Sequence, residues 1–457
     1  MNRVTKRTWL MSLFILVLLG GLLVFLWEYA TQSRQWVVFS GSPHVYNNAN
    51  IGCGVITDRS GEVLLDLTEN RTYSVDAATR KSTLHWLGDR KGYISASAVT
   101  SHAAEMVGFD PVNGVYDASG EGGRAWLTLS ARVQNAALEA MAGRKGTIAV
   151  YNYKTGEILC ALTTPTFDPD NVPDIDGDTS GTYDGVYINR FLQSAYVPGS
   201  IFKAVTLAAA LETVPDIENM TFTCYGKVAY GSEAVTCEKA HGTQSLKSAF
   251  ANSCNCAFAQ IAELVGKKNM VSHVEKFEVT KSLSFDGITT QEGNYDITDT
   301  APVSFAWSCI GQYTDLINPA RYMTFMGTIA NGGVGVEPYV VSRVESGGQT
   351  TYEAKAVKTD RIMTADVAAT VREYMRNNVK NVYGDWNFPG LSVCAKSGTS
   401  QLGGGQTSNA MFAGFVEDAQ YPLAFMVVVE NGGYGSHTCV PILSKVLAVC
   451  KSVLDEG

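Results

Sequence analysis

The chain has 457 residues, too many for one ordinary hydrophobic core, so two or more domains are expected. Hydrophobic residues make up 46% and charged residues 17%, a globular balance that excludes a long disordered tract. The formal net charge of -9 argues against a nucleic-acid-binding surface, and no basic run occurs beyond the extreme N-terminus.

At that N-terminus, Arg3, Lys6 and Arg7 precede an uncharged apolar stretch from Trp9 to Trp27. It is long enough to cross a bilayer as one helix, and the positive flank is expected to stay in the cytoplasm. The segment Glu28-Tyr29-Ala30-Thr31-Gln32 offers no small-x-small cleavage site, so the expectation is an uncleaved anchor rather than a secretory signal. The division is a cytoplasmic tail (1–8), a transmembrane anchor (9–27), an N-terminal pedestal or dimerisation-like domain (28–125) and a larger domain (126–457). All beyond the anchor would lie outside the cytoplasmic membrane.

The pedestal reads as short strands and turns without a catalytic cluster. Trp126 to Leu129 reads as a strand and Ala131 to Met141 as an Ala-rich helix. Gly146 to Thr163 reads as two strands joined by a tight turn at Lys154-Thr155-Gly156. Near the end, Met411 to Val416 and Leu423 to Glu430 read as strands before a helix from about Pro441 to Val453. The simplest architecture is α+β, with a sheet built from both ends of the larger domain.

Between these ends, Ser200-Ile201-Phe202-Lys203 opens a helix. Tyr196-Val197-Pro198-Gly199 is turn-forming, whereas Ile201 to Glu212 is apolar and Ala-rich. Residues three apart share a helix face, so the Lys203 amine can reach back to the Ser200 hydroxyl. A serine hydroxyl attacks only after a base takes its proton, and a desolvated lysine can be that base. In isolation, the same four residues also describe a capping serine followed by a solvated lysine.

Two further groups bear on that ambiguity, although each alone also describes ordinary structure, a helix-capping Asn-Ser turn and a strand ending in a Gly-Ser segment. Leu246 to Phe250 reads as helical, and Ala251-Asn252-Ser253-Cys254-Asn255 breaks it before another helix begins near Ala257. Ser253 can relay a proton, and the Asn255 amide can bond both a lysine and a substrate amide. Later, Val393-Cys394-Ala395-Lys396-Ser397-Gly398-Thr399 begins as a strand and carries a cation, hydroxyls and a glycine in succession. Such a strand can lie beside a peptide-like substrate. Lys154-Thr155-Gly156 is the more literal K-T-G, but it precedes the serine and sits in a turn, so Lys154 reads as solvated.

Ten cysteines are present. Cys224 and Cys237 flank a Gly-containing stretch able to fold back as a hairpin, which makes them the best-placed pair for a disulfide, the alternative being that both are free. Cys254 and Cys256, two apart, are a poor pair. The histidines, including His85, His241 and His273, do not fall at zinc-site separations from the cysteines in sequence, so no metal and no other cofactor is expected.

The order Ser200-x-x-Lys203, Ser253-x-Asn255, Lys396-Ser397-Gly398 carries the signatures S-x-x-K, S-x-N and K-T/S-G. The chain resembles a class B penicillin-binding protein, a peptidoglycan D,D-transpeptidase of the penicillin-recognising acyl-serine transferases. Ile56-Thr57-Asp58-Arg59-Ser60-Gly61, Gly156-Glu157-Ile158-Leu159, Pro165-Thr166-Phe167-Asp168-Pro169, Ile310-Gly311-Gln312, Ala330-Asn331-Gly332-Gly333 and Phe412-Ala413-Gly414-Phe415 extend the resemblance from about Ile51 to the C-terminus. Departures are Cys254 in the middle of the second box, Ser397 for the commoner Thr, and Tyr313 where the family often has Gly.

The resemblance implies a central antiparallel sheet packed by helices, plus an all-helical subdomain. It implies an acyl-serine route, with Ser200 as nucleophile, Lys203 as base, Ser253 as proton relay and Asn255 orienting Lys203 and the donor amide. Lys396, Ser397, Gly398 and Thr399 would hold the donor, and the backbone N–H groups of Ser200 and Thr399 would form the oxyanion hole. The implied partners are D-Ala-D-Ala stem peptides with an amine acceptor, β-lactams, and a membrane glycosyltransferase of the SEDS family. A D,D-carboxypeptidase, a β-lactamase-type hydrolase, and a tethered β-lactam sensor or scaffold use the same residues and stay open at this level.

Overall fold

The computed structural model describes residues 2–456 apart from 40, 44, 49, 110–111, 113–121 and 403–404. Asn2–Trp36 is one helix, and its apolar side chains from Trp9 to Trp27 are exposed all round. At about 1.5 Å per residue that apolar part is roughly 28 Å long, close to the hydrocarbon thickness of a bilayer. The C-terminal helix Gly435–Glu456 is also long and apolar, but it lays Cys439, Leu443, Val446, Leu447 and Cys450 into the protein interior. It is a core helix.

The main sheet has five antiparallel strands in the order Val393–Ser400, Asn409–Val416, Leu423–Val429, Gly146–Asn152, Ile158–Thr164. It joins both ends of the larger domain, as the sequence predicts. Successive side chains of a strand face opposite ways, and both faces here are covered. In the strand Leu423–Val429, Ala424, Met426 and Val428 pack towards the helix Pro319–Ala330, whereas Leu423, Phe425 and Val427 pack towards Ala131–Met141 and the C-terminal helix. Burial on both sides explains why this strand is an unbroken apolar run.

A second, mixed sheet of six strands has the order Gln349–Glu353, Val341–Ser346, Arg124–Leu127, Val55–Thr57, Val63–Asp66, Thr72–Tyr73. Arg124–Leu127 runs parallel to Val55–Thr57 and antiparallel to Val341–Ser346. The expected division at 125/126 thus falls inside a strand that pairs with segments on both sides of it. Asp58, in the Asp-Arg-Ser-Gly turn, accepts hydrogen bonds from the N–H groups of Ser60, Glu62 and Ala131 at 2.7–3.1 Å. The helix Ala77–Leu87 is tied on by Arg80, whose Nε and Nη2 each donate to the Asp168 carboxylate at 2.7 Å.

Between two strands of the main sheet the chain forms a mainly helical region: Lys203–Thr213, Leu246–Ala251, Asn255–Val265, Lys267–Lys276 and Pro302–Ser308. Two small antiparallel ribbons decorate it. Thr221–Cys224 pairs with Gly242–Ser245, and Lys227–Tyr230 with Glu233–Thr236.

Candidate active site

Ser200 lies in a tight 3-10 turn, Gly199–Phe202, that runs straight into the helix Lys203–Thr213. The expectation of a serine at a helix start holds, with the first turn wound more tightly than an α-helix. Gly199 has φ +55°, and a Cβ there would sit 2.7 Å from the Thr399 carbonyl oxygen. Only glycine lets the turn lie against the strand Val393–Ser400 in this way. Gly398 contributes from the other side, because a Cβ on it would come within 2.9 Å of the Pro198 oxygen.

The Lys203 Nζ donates to the Ser253 carbonyl at 2.6 Å and to Asn255 Oδ1 at 2.7 Å, and it lies within hydrogen-bond distance of two hydroxyls, Ser200 Oγ at 3.0 Å and Ser253 Oγ at 3.1 Å. Asn255 is itself held, since its Nδ2 donates to the Thr236 carbonyl at 2.9 Å. Lys396 Nζ donates to the same Ser253 Oγ at 3.0 Å and to the Ser397 carbonyl at 2.9 Å. Ser253 therefore bridges two amines. Its backbone is left-handed, φ +51°, a conformation costing a non-glycine residue roughly 1–2 kcal/mol. That geometry aims both its carbonyl and its hydroxyl at Lys203.

Both lysines are fully buried. Burial lowers the Lys203 pKa to about 7, because the charged amine loses its water. Burial and then the neighbouring Lys203 hold Lys396 well below the ordinary lysine range. The rings of Phe258 and Phe250 lie 5.6 Å from the Lys203 amine and 5.9 Å from the Lys396 amine, offering each a partial substitute for solvent. Two amines on one hydroxyl in a dry site disfavour double protonation, so a neutral base near pH 7 follows from the packing.

The strand Val393–Ser400 is the edge of the main sheet. The Thr399 carbonyl faces Gly199, and in an antiparallel strand a residue's N–H and C=O share one side. The Thr399 N–H accordingly faces the serine turn, while its Oγ1 accepts from the Gly435 N–H at 3.1 Å. Ser200, Ser253, Asn255, Trp307, Tyr383 and Thr399 are among the residues lining a cleft of about 550 Å³.

The residues of the three boxes meet here; Cys224 and Cys237, named separately as a disulfide pair, are not bonded to each other. No disulfide joins them. Instead both approach His241 and Cys254 beside the cleft, so the expectation that cysteine and histidine do not cluster is also corrected: Cys224, Cys237, His241 and Cys254 form one group. Folding, rather than sequence spacing, brings them together. Lys154 is exposed and donates to Asn331 Oδ1, far from the lysine pair in its bonding, as read from its turn.

Tyr383 was not singled out by the sequence. It ends a wide turn after the helix Ala365–Asn378, shares a hydrogen bond with Ser397 Oγ at 3.0 Å and accepts one from the Ser397 N–H at 3.0 Å. A lone tyrosine in a polar segment carries no periodic or motif signal. Tyr313 has φ +77°, which explains why a glycine is comfortable at that place.

Residues 146–448 match the penicillin binding protein transpeptidase domain. The chain belongs to the class B penicillin-binding proteins. It is 28% identical over 341 residues to the peptidoglycan D,D-transpeptidase PbpA of Mycobacterium tuberculosis, covering 68% of each chain. The D,D-transpeptidase domain of a peptidoglycan glycosyltransferase from Eggerthella lenta superimposes with a TM-score of 0.75 at 26% identity, over 88% of this chain and 98% of that one. The ceftriaxone acyl-enzyme of M. tuberculosis penicillin-binding protein A gives 0.75 at 22%, over 87% and 97%. The structural likeness thus extends beyond residues 146–448.

Proposed function

We propose that this penicillin-binding protein is a peptidoglycan D,D-transpeptidase that works through an acyl-Ser200 intermediate. The observation that carries the reading is the 3.0 Å contact between the Ser200 hydroxyl and a buried Lys203 amine, whose pKa burial lowers to about 7 so that a substantial neutral fraction exists at neutral pH. Lys203 takes the Ser200 proton and Oγ bonds to the D-Ala-D-Ala carbonyl carbon. Collapse of that adduct breaks the C–N bond, and the departing D-Ala amine receives a proton through Ser253, which touches both lysines. The backbone N–H groups of Ser200 and Thr399 receive the oxyanion, a contribution of about 3 kcal/mol per donor. Asn255 orients Lys203 and the donor amide. Lys396, Ser397, Gly398 and Thr399 receive the donor carboxylate, whose charge restores a counterion to Lys396. A stem-peptide amine then attacks the ester and releases Ser200.

β-Lactams present a strained amide in the same orientation and acylate Ser200. The helix Asn2–Trp36 anchors the chain, and Arg3, Lys6 and Arg7 favour an N-terminus in the cytoplasm with the catalytic domain outside. The pedestal is too small to hold a glycan polymerase, which fits action beside a membrane glycosyltransferase of the SEDS family. Incubation with donor and acceptor stem peptides tests the acceptor: a cross-linked dimer is expected, and release of D-Ala without dimer contradicts transpeptidation in favour of hydrolysis.

A further inference from the structure

Beside the catalytic cleft, three cysteines and a histidine converge from four different places in the helical region. Cys224 ends the strand Thr221–Cys224, and Gly242, opposite it in the ladder, brings the preceding His241 to its side. Cys237 follows the strand Glu233–Thr236, its N–H donating to the Gly226 carbonyl at 2.9 Å. Cys254 caps the helix Asn255–Val265, where its sulfur accepts the Ala257 N–H at 3.4 Å. The four ligand-bearing atoms all lie within 4.8 Å of one another, and among the described residues this is the one such group.

The distances discriminate between uses of these atoms. A tetrahedral zinc ion with Zn–S of about 2.3 Å and Zn–N of about 2.0–2.1 Å separates its ligands by about 3.8 Å (S···S) and about 3.6 Å (S···N). Here His241 Nδ1 is 3.6 Å from Cys224 Sγ and 3.5 Å from Cys237 Sγ, and Cys237 Sγ is 3.9 Å from Cys254 Sγ. Three thiolates with one imidazole form a soft donor set that suits Zn²⁺ and does not suit Mg²⁺ or Ca²⁺, which take oxygen ligands. We propose that Cys224, Cys237, His241 and Cys254 bind one Zn²⁺ ion in a closed, four-ligand structural site.

The location gives the ion a purpose. Each of the two ribbons has only two strands, and a two-stranded ribbon alone is marginally stable in water. One ion would staple both ribbons to the loop that carries Ser253 and Asn255, because Cys254 lies between those two residues in the chain. With four protein ligands there is no open position for water, so the site holds structure rather than performs Lewis-acid chemistry. Binding displaces up to three thiol protons to solvent and moves no electrons. The proposal does not depend on the transpeptidase reading.

The test uses the full chain, purified in detergent under reducing conditions and dialysed. Elemental analysis is expected to find one zinc per chain, retained by wild type and lost from Cys237→Ser and His241→Ala. Replacement by Co²⁺ in wild type is expected to give the intense visible bands of a tetrahedral ion with thiolate charge transfer, a readout independent of whether any variant folds. Three results overturn the proposal: no zinc and no cobalt spectrum from wild type, zinc retained when either ligand is changed, or a disulfide between two of these cysteines in the protein isolated without added oxidant.

Discussion

Two clusters meet at residues 253–255 and are built on opposite principles. The catalytic cluster is complementary within itself: two amines, two hydroxyls, an amide and backbone carbonyls pair donor to acceptor at 2.6–3.1 Å. The sulfur cluster gathers soft ligand atoms that are poor partners for one another, and it leaves their complement to come from outside. The first carries a chemical step by moving a proton among its own members; the second needs a cation and contributes rigidity. Their shared loop means that each can be broken and the other watched.

The largest expected effect follows Ser200→Ala. It removes the atom that becomes acylated, so labelled-penicillin incorporation should fall by at least about 10³-fold, with the metal content of the sulfur cluster unchanged. Lys203→Met comes next. General-base contributions are typically about 10²–10⁴-fold, and stopped-flow acylation by a chromogenic β-lactam reads the loss. Lys203→Arg should not rescue it, because a guanidinium does not give up its proton near neutral pH.

The same experiment in wild type has a defined pH sense. The base acts only when neutral, and burial places the Lys203 pKa at about 7. Acylation should therefore be flat above that value and fall about tenfold per pH unit below it. A profile whose rate kept rising up to the ordinary lysine range would remove Lys203 from the role of neutral base.

Smaller effects sharpen the contrast. Asn255→Ala deletes an acceptor that holds a buried amine at 2.7 Å, a loss of about 1.5–3 kcal/mol, so acylation should slow by roughly 10–100-fold. Tyr383→Phe removes two hydrogen bonds to Ser397 without opening a void and should cost about 1 kcal/mol, seen as a several-fold weaker apparent affinity for β-lactam with the acylation rate constant largely kept. A reversed pattern would place Tyr383 with the reacting atoms instead of with the binding strand.

How much of this was legible in the sequence follows from where the constraints act. Helix Ala131–Met141 and the strand pair Gly146–Asn152 and Ile158–Thr164 emerge at nearly the expected bounds, since capping, turn and apolar signals there are local. The catalytic boxes were legible because each encodes its chemistry in three or four consecutive residues. The left-handed backbone of Ser253 was not, because nothing about a serine announces φ +51°; it is the left-handed cap that ends helix Leu246–Ala251, with the Cys254 N–H returning to the Ala249 carbonyl at 2.9 Å. The sulfur cluster is not legible as one group, because in the sequence Cys224 and Cys237 read as a possible disulfide pair and His241 and Cys254 as unrelated to them. Its Cys237-x-x-x-His241 spacing was the one local hint, and Cys224 and Cys254 join only through ladder pairing and a helix cap.

The account rests most heavily on which atom is acylated. Digestion of the penicillin-treated full chain, followed by mass spectrometry, locates the adduct. The account predicts one penicilloyl group per chain on Ser200, absent from Ser200→Ala. An adduct on Ser253, on a cysteine of the neighbouring cluster, or on no residue would contradict it.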